Sequence, residues 1–118
     1  MTNQITWAFS GSPATLEEVQ HEVGAGWNVL VKELIAELFE LGWDGKLYQI
    51  KEKFGGLRFY IGEGSDEIHA AIQAAEDYSY KLCEVTGKAG ELRDDLGWMR
   101  VLCDEEYAKA KEKKNVQS

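Results

Sequence analysis

Between Trp27 and Leu41 the apolar residues Trp27, Leu30, Val31, Leu34, Ile35, Leu38, Phe39 and Leu41 recur at steps of three and four. That spacing gathers them on one stripe of a helix, and such a helix is stable only when something covers the stripe. The chain supplies a cover immediately afterwards. Past Gly42 and Gly45, the runs Leu47 to Phe54 and Leu57 to Ile61 flank Gly55-Gly56 and read as two strands around a glycine turn. A two-stranded hairpin is marginal in water, so it must lie against the helix or gain further strands. Ile5 to Phe9 alternates weakly and is a candidate for one. The expected class is therefore α+β, with a long amphipathic helix packed on a small antiparallel sheet.

The remaining elements follow from caps and punctuation. Ser12-Pro13-Ala14-Thr15 followed by Leu16, Glu17 and Glu18 offers a cap, a proline and first-turn acids, predicting a shorter helix that runs to about Val23 and stops at Gly24 and Gly26. Those glycines read as a joint between two helices. Ser65 before Asp66 and Glu67 starts another helix, which Ile68, Ala71, Ile72, Ala75, Tyr78, Ser79 and Leu82 carry as far as Cys83. Glu91 to Arg93 and Trp98 to Leu102 form a second hairpin whose turn holds Asp94, Asp95 and Gly97. From Asp104 onward the tail is predicted to be a helix that frays among Lys109, Lys111, Lys113 and Lys114. With 118 residues the chain has room for one core, so residues 1–118 are expected to form one domain with flexible ends at 1–4 and 112–118.

Charge narrows the function classes. There are 21 acidic and 13 basic residues, a formal net charge of -8. A molecule of that sign repels a phosphate backbone as a whole and favours fast capture of a basic protein, so the expected partner is a basic protein and not nucleic acid. No run approaches the roughly 18 apolar residues of a membrane span. The start Met1-Thr2-Asn3-Gln4 lacks the basic-then-apolar order of a secretion signal. The expectation is a cytoplasmic protein with no membrane contact and with Cys83 and Cys103 reduced.

The stretch from Cys83 to Gly90, taken with Trp98 to Glu106, has the outline of a zinc ribbon. Such a site needs four ligands on two tight knuckles beside strands. Here the four positions would be Cys83, Thr86, Cys103 and Glu106; a threonine is a poor zinc ligand and a glutamate a passable one. The positions read as vestigial, and neither a metal nor another cofactor is expected.

Lys51-Glu52-Lys53-Phe54-Gly55-Gly56-Leu57-Arg58-Phe59-Tyr60, the stretch from Cys83 to Gly90, and Gly97-Trp98 through Glu106, preceded by Gly26-Trp27, resemble a family of small bacterial and phage proteins. That family combines a K-E-K-F-G-G-L-R-F-Y segment with a C-x-x-C-G-x-x-G and G-W-x-R-x-L-C-x-x-H ending. The resemblance covers roughly residues 26 to 106 and implies a shared fold, with a C-terminal degenerate ribbon-like hairpin and helix. It implies no particular activity.

Three uses of the chain compete. As a basic and aromatic surface, Lys51, Lys53 and Arg58 with Phe54, Phe59 and Tyr60 would suit nucleotides or single strands, and with Arg93 and Arg100 would suit a degenerate ribbon that binds nucleic acid, if all five cations share one face. As a hydrolase the chain would need a base, and only His21 and His69 are available; His69 would have to stand in a cleft. As a binding protein it would present acids, chiefly Asp94, Asp95, Asp104, Glu105 and Glu106, to the cationic groups of a toxin nuclease. The last reading, a non-enzymatic immunity protein that acts by occlusion, fits the size and acidity best, and a phage-encoded inhibitor of a host defence protein would look the same.

Overall fold

The apolar stripe that begins at Trp27 becomes the buried face of a helix, and the other elements are arranged around it. The computed structural model describes residues 3–117, with side chains as far as Lys113. In chain order the elements are strands β1 (Ile5–Trp7) and β2 (Pro13–Ala14), helix α1 (Leu16–Gln20), a 3-10 turn (Ala25–Trp27), helix α2 (Asn28–Glu40), strands β3 (Lys46–Lys53) and β4 (Gly56–Ile61), helix α3 (Asp66–Ser79), strands β5 (Glu91–Arg93) and β6 (Arg100–Leu102), and helix α4 (Asp104–Gln117). Among the described residues no helix is long and apolar enough to cross a membrane.

The fold is α+β, in the order β2-β1-β3-β4 for the main sheet and β5-β6 for a second, two-stranded one. The main sheet is mixed: β1 pairs antiparallel with β2 but parallel with β3, while β3 and β4 form the antiparallel hairpin read from the sequence. Parallel pairing needs a crossover, and the segment carrying α1 and α2 provides it. Pro13 enters β2 and does not open α1. Thr15 caps α1 instead, in a reciprocal box with Glu18 whose two bonds span 3.0 and 3.1 Å. α1 is shorter than the sequence suggested, ending at Gln20.

One face of the main sheet is the core. Trp27 and α2 residues Val31, Leu34, Ile35 and Leu38 meet Ile5, Leu47, Ile50, Leu57 and Phe59 from the strands, and Ile68, Ile72 and Ala75 from α3 close the side. β4 is an edge strand, and α3 caps that edge with side chains. Ser79 Oγ accepts the Leu57 N–H at 2.9 Å, and Glu76 Oε2 accepts that of Phe59 at 2.9 Å. Bonds of this kind remove the free donors that would recruit a foreign strand. They also explain why Ser79, alone among the core residues, is polar and yet fully buried: its hydroxyl donates to the Glu76 carbonyl at 2.6 Å while accepting from Leu57.

The opposite face of the sheet stays largely exposed. Strand alternation puts Lys46, Gln49, Lys51 and Lys53 of β3 there with Arg58 and Tyr60 of β4. The register sets Gln49 opposite Tyr60 and Lys51 opposite Arg58, and an irregularity between Leu47 and Gln49 leaves Tyr48 exposed as well. The hairpin closes through Phe54 and Gly55, both with positive φ, 53° and 88°. That is the handedness a two-residue hairpin turn requires. For a bulky residue such as Phe54 it costs roughly 1–2 kcal/mol, and the ring, 63% exposed, gains little burial in return.

α3 ends at Ser79, earlier than predicted, because Leu82 and Cys83 belong to the next unit. Leu82 bridges Ala89, Cys83 N–H donates to the Lys88 carbonyl at 2.8 Å, and Gly87 N–H donates back to the Cys83 carbonyl at 2.9 Å. This loop, β5–β6 and α4 enclose a second, smaller cluster of Cys83, Leu96, Leu102 and Cys103, against which Tyr107 and Ala110 of α4 pack. The two clusters are joined at the 3-10 turn. Gly26 N–H donates to the Glu84 carbonyl at 2.8 Å and the Trp27 indole N–H to that of Leu82 at 3.0 Å. A Cβ on Gly26 would lie 2.0 Å from the Cys83 carbonyl oxygen, so this glycine serves close backbone approach and not a mere joint. α4 runs unbroken to Gln117 where fraying was expected; the flexible ends expected at 1–4 and 112–118 fall partly outside the described residues.

Candidate functional site

The second cluster contains the vestigial ribbon positions. Cys83 and Cys103 are both buried and both free thiols. They come together around Thr86, whose hydroxyl lies 3.7 Å from Cys103 Sγ and also hydrogen-bonds Cys83. Burial pushes the Cys83 thiol up, but the Thr86 hydroxyl and the backbone amides of Cys103, Thr86 and Val85 converge on its sulfur and bring it down to about 7. Glu106, the fourth position, turns away from the thiols. Among the described residues no three His, Cys, Asp or Glu side chains gather as a metal site would require. Leu96 and Leu102 share one buried cluster with the two cysteines.

The acidic residues divide into two groups. Asp95 accepts a hydrogen bond from the Tyr107 hydroxyl, which raises the Tyr107 pKa. Asp104 pairs with Arg93 at 2.9 Å, and the Arg93 guanidinium lies 4.2 Å from the Tyr107 ring centre while also donating to the Leu102 carbonyl. Asp95 and Asp104 are thus brought to one Arg93–Tyr107 pair, with Lys111 5.0 Å above the same ring. Asp94 and Glu105 stand exposed nearby in sequence. Glu106 points the other way, into a groove of about 880 Å³ between β6 and α4. Its Oε2 is buried and accepts no hydrogen bond; its ion-pair partner is Lys109, 3.3 Å away.

That groove is the feature the sequence reading missed. Its walls are Val85, Leu96, Trp98, Leu102 and Ala110, and its rim carries Arg100, Lys109, Glu112 and Lys113. Trp98 is 63% exposed, held out by the turn at Gly97, whose φ is 99°. Val85, Leu92 and Met99 are exposed on the same unit. A turn glycine directly before a tryptophan was the signal available in the sequence, and indoles are usually assigned to cores.

The five cations of the nucleic-acid reading do not form one free set. Arg93 and Arg100 are engaged within the ribbon unit, Arg93 with Glu91 and Asp104 and Arg100 with Glu84 at 2.5 Å. Lys51, Lys53 and Arg58 lie on the sheet hairpin. Of the aromatic residues named with them, Phe59 belongs to the core, whereas Phe54 and Tyr60 are exposed. His69 stands exposed on α3. His21 caps the C-terminus of α1 and lines a shallow depression of about 370 Å³ with Glu17, Gln20 and Asn28. Compared with known protein families, curated proteins and solved structures, the chain matches none.

Proposed function

We infer that this chain is a protein-binding inhibitor: an immunity protein that neutralises a nuclease toxin of the contact-dependent or polymorphic kind by covering the cationic groups with which the toxin holds phosphate. One observation carries the reading. Glu106, whose buried Oε2 accepts no hydrogen bond and is held by the Lys109 ammonium alone, lines the groove that the exposed Trp98 indole walls. A carboxylate oxygen withdrawn from water and held only by one exposed, mobile lysine is poorly satisfied. An arginine or lysine of a basic partner supplies the donor, its charge meets both the carboxylate and the indole face, and its aliphatic stem lies along Val85 and Leu102. Lys109 holds the carboxylate in the free protein and gives way to the partner's cation. Exposed Asp94 and Glu105, with Asp95 and Asp104 beside them, add the negative field that speeds encounter with a basic surface. The mechanism is occlusion, with no covalent step.

The test is inhibition of a co-expressed basic nuclease domain by a stoichiometric amount of the purified chain. Trp98→Ala and Glu106→Gln should each weaken the complex by about thirty-fold or more, as expected for central anchors. Charge reversal at Asp94 and Glu105 should slow association and flatten its salt dependence. An acidic partner, binding unchanged by all of these substitutions, or turnover of a substrate by the isolated chain would overturn the reading. A phage-encoded inhibitor of a host defence protein works through the same surface, and the identity of the captured partner separates the two.

A further inference from the structure

The exposed face of the main sheet has a character opposite to that of the chain as a whole. In a molecule of net charge -8, Lys46, Lys51, Lys53 and Arg58 share this face, and among the described residues none of the four forms an ion pair. The sheet geometry accounts for the segregation. Nearby carboxylates are engaged by backbone donors: Glu52 accepts the Gly55 N–H at 2.6 Å at the hairpin turn, Asp44 accepts that of Lys46 at 2.9 Å, and Glu76, whose charge also reaches Arg58, accepts that of Phe59 at the strand edge.

The cations are interleaved with rings. Lys51 Nζ lies 5.9 Å from the centre of Tyr60, Lys53 Nζ 5.7 Å from that of Phe54, and the Arg58 guanidinium 5.9 Å from that of Tyr80. Tyr48 rests over Gly62, where a Cβ would meet its ring at 2.9 Å, and Phe9 sets its ring edgewise against Tyr48 at 5.1 Å. Phe9 is 84% exposed, and Phe54 is exposed despite its strained backbone. Burial explains neither ring. The Arg58 guanidinium is held in place by bonds to the Leu57 carbonyl at 2.8 Å and the Tyr80 hydroxyl at 3.1 Å. A sheet face with several exposed rings and cations outside any ion pair between them matches a chain of unstacked bases joined by phosphates: the rings offer faces for the bases and the cations sit where the phosphates would pass. A duplex keeps its bases inside and could use only the charges.

We propose that the open face of the β1–β3–β4 sheet is a binding platform for single-stranded nucleic acid, with Tyr48, Tyr60 and Phe54 stacking on bases and Lys51, Lys53 and Arg58 neutralising phosphates. The whole-chain charge makes the interaction weak and strongly salt-dependent, since the other faces repel the strand's continuation. The residues of this platform are none of those that line the groove beside Trp98, although the turn at Gly55 packs on Leu92, Met99 and Arg100 of the ribbon.

Fluorescence anisotropy tests the proposal with the full chain and a labelled oligothymidylate of about ten nucleotides, a length that one such platform spans. Binding should appear at low salt and fall with a log–log salt slope of about -2 to -3, the value for three or four phosphate contacts on a single strand. Tyr60→Ala and Tyr48→Ala should each weaken it about ten-fold, and Lys51→Glu with Arg58→Glu should abolish it. Trp98→Ala should leave it unchanged. These side chains are exposed or partly so, and far-UV circular dichroism verifies that each variant is folded. Absence of binding at low salt overturns the proposal, as does an affinity insensitive to both tyrosines. Equal binding of a duplex, or of polyglutamate as a stand-in for an acidic protein, overturns it too, because either would reduce the face to a patch of positive charge.

Discussion

β3 and β4 run for eight and six residues and bury Leu47, Ile50, Leu57 and Phe59 beneath α2 and α3, whereas β5 and β6 run for three residues each and bury little beyond Val101 and Leu102. The long hairpin is held by apolar area. The short one is held by polar and local bonds: the Arg93 and Arg100 ion pairs, the knuckle around Cys83 and the two hydrogen bonds that tie it to Gly26 and Trp27. The difference governs what each can display. A sheet secured from one side can leave its other side to cations and rings. A ribbon with a small core keeps its arginines for its own cohesion, so its free surface is Trp98 and a set of carboxylates.

The largest effect should come from removing what the two regions share. Trp27→Ala deletes a fully buried indole and the bond to the Leu82 carbonyl, and should cost about 3–5 kcal/mol in urea denaturation. If the ribbon unit remains protected in hydrogen exchange while the sheet melts, the claim that it leans on Trp27 is wrong. Ser79→Ala acts on the sheet edge alone. It leaves the buried Leu57 N–H without an acceptor and should cost about 1–3 kcal/mol, with faster exchange at Leu57 and little change in the ribbon.

Phe54→Gly acts on the turn of the long hairpin. It exchanges a strain of roughly 1–2 kcal/mol for a glycine entropy of roughly 0.5–1 kcal/mol, so stability should hold or rise slightly, by up to about 1.5 kcal/mol, while oligonucleotide affinity falls. A variant that loses both would show that the ring is structural. A further effect belongs to the ribbon and is read by pH. Cys83 has a folded pKa of about 7, below its ordinary value of 9.0, so the folded state favours the thiolate. The resulting stability is fully present above pH 9 and is lost as pH falls toward and through 7. Denaturation between pH 6 and 9 should show stability rising across that window, and Cys83→Ala should flatten the rise.

Much of this was legible in the chain. The α2 stripe, the hairpin around Gly55, the Ser65 cap of α3 and the second hairpin each rest on a local pattern, and local patterns survive folding when the core agrees with them. The boundaries that moved did so for tertiary reasons. Pro13 went to a strand because β1 needed an antiparallel neighbour, and α3 stopped at Ser79 because Cys83 had to reach the loop beneath Gly26. The candidate acids show the same limit. Glu106 is one residue from Glu105, yet helical rotation turns its carboxylate into the groove, and Asp104 is drawn to an arginine eleven positions earlier.

The order of residues determined the α+β class, the periodicity of each helix, the pairing of the central hairpin and the net negative charge, because these depend on spacing and composition alone. Which cations would be left outside an ion pair, which tryptophan would stand in solvent, and which glutamate would line a groove depended on elements far apart in sequence meeting in space. Each of those outcomes turns on whether a neighbour within hydrogen-bonding distance is already committed elsewhere, and only the assembled chain decides that.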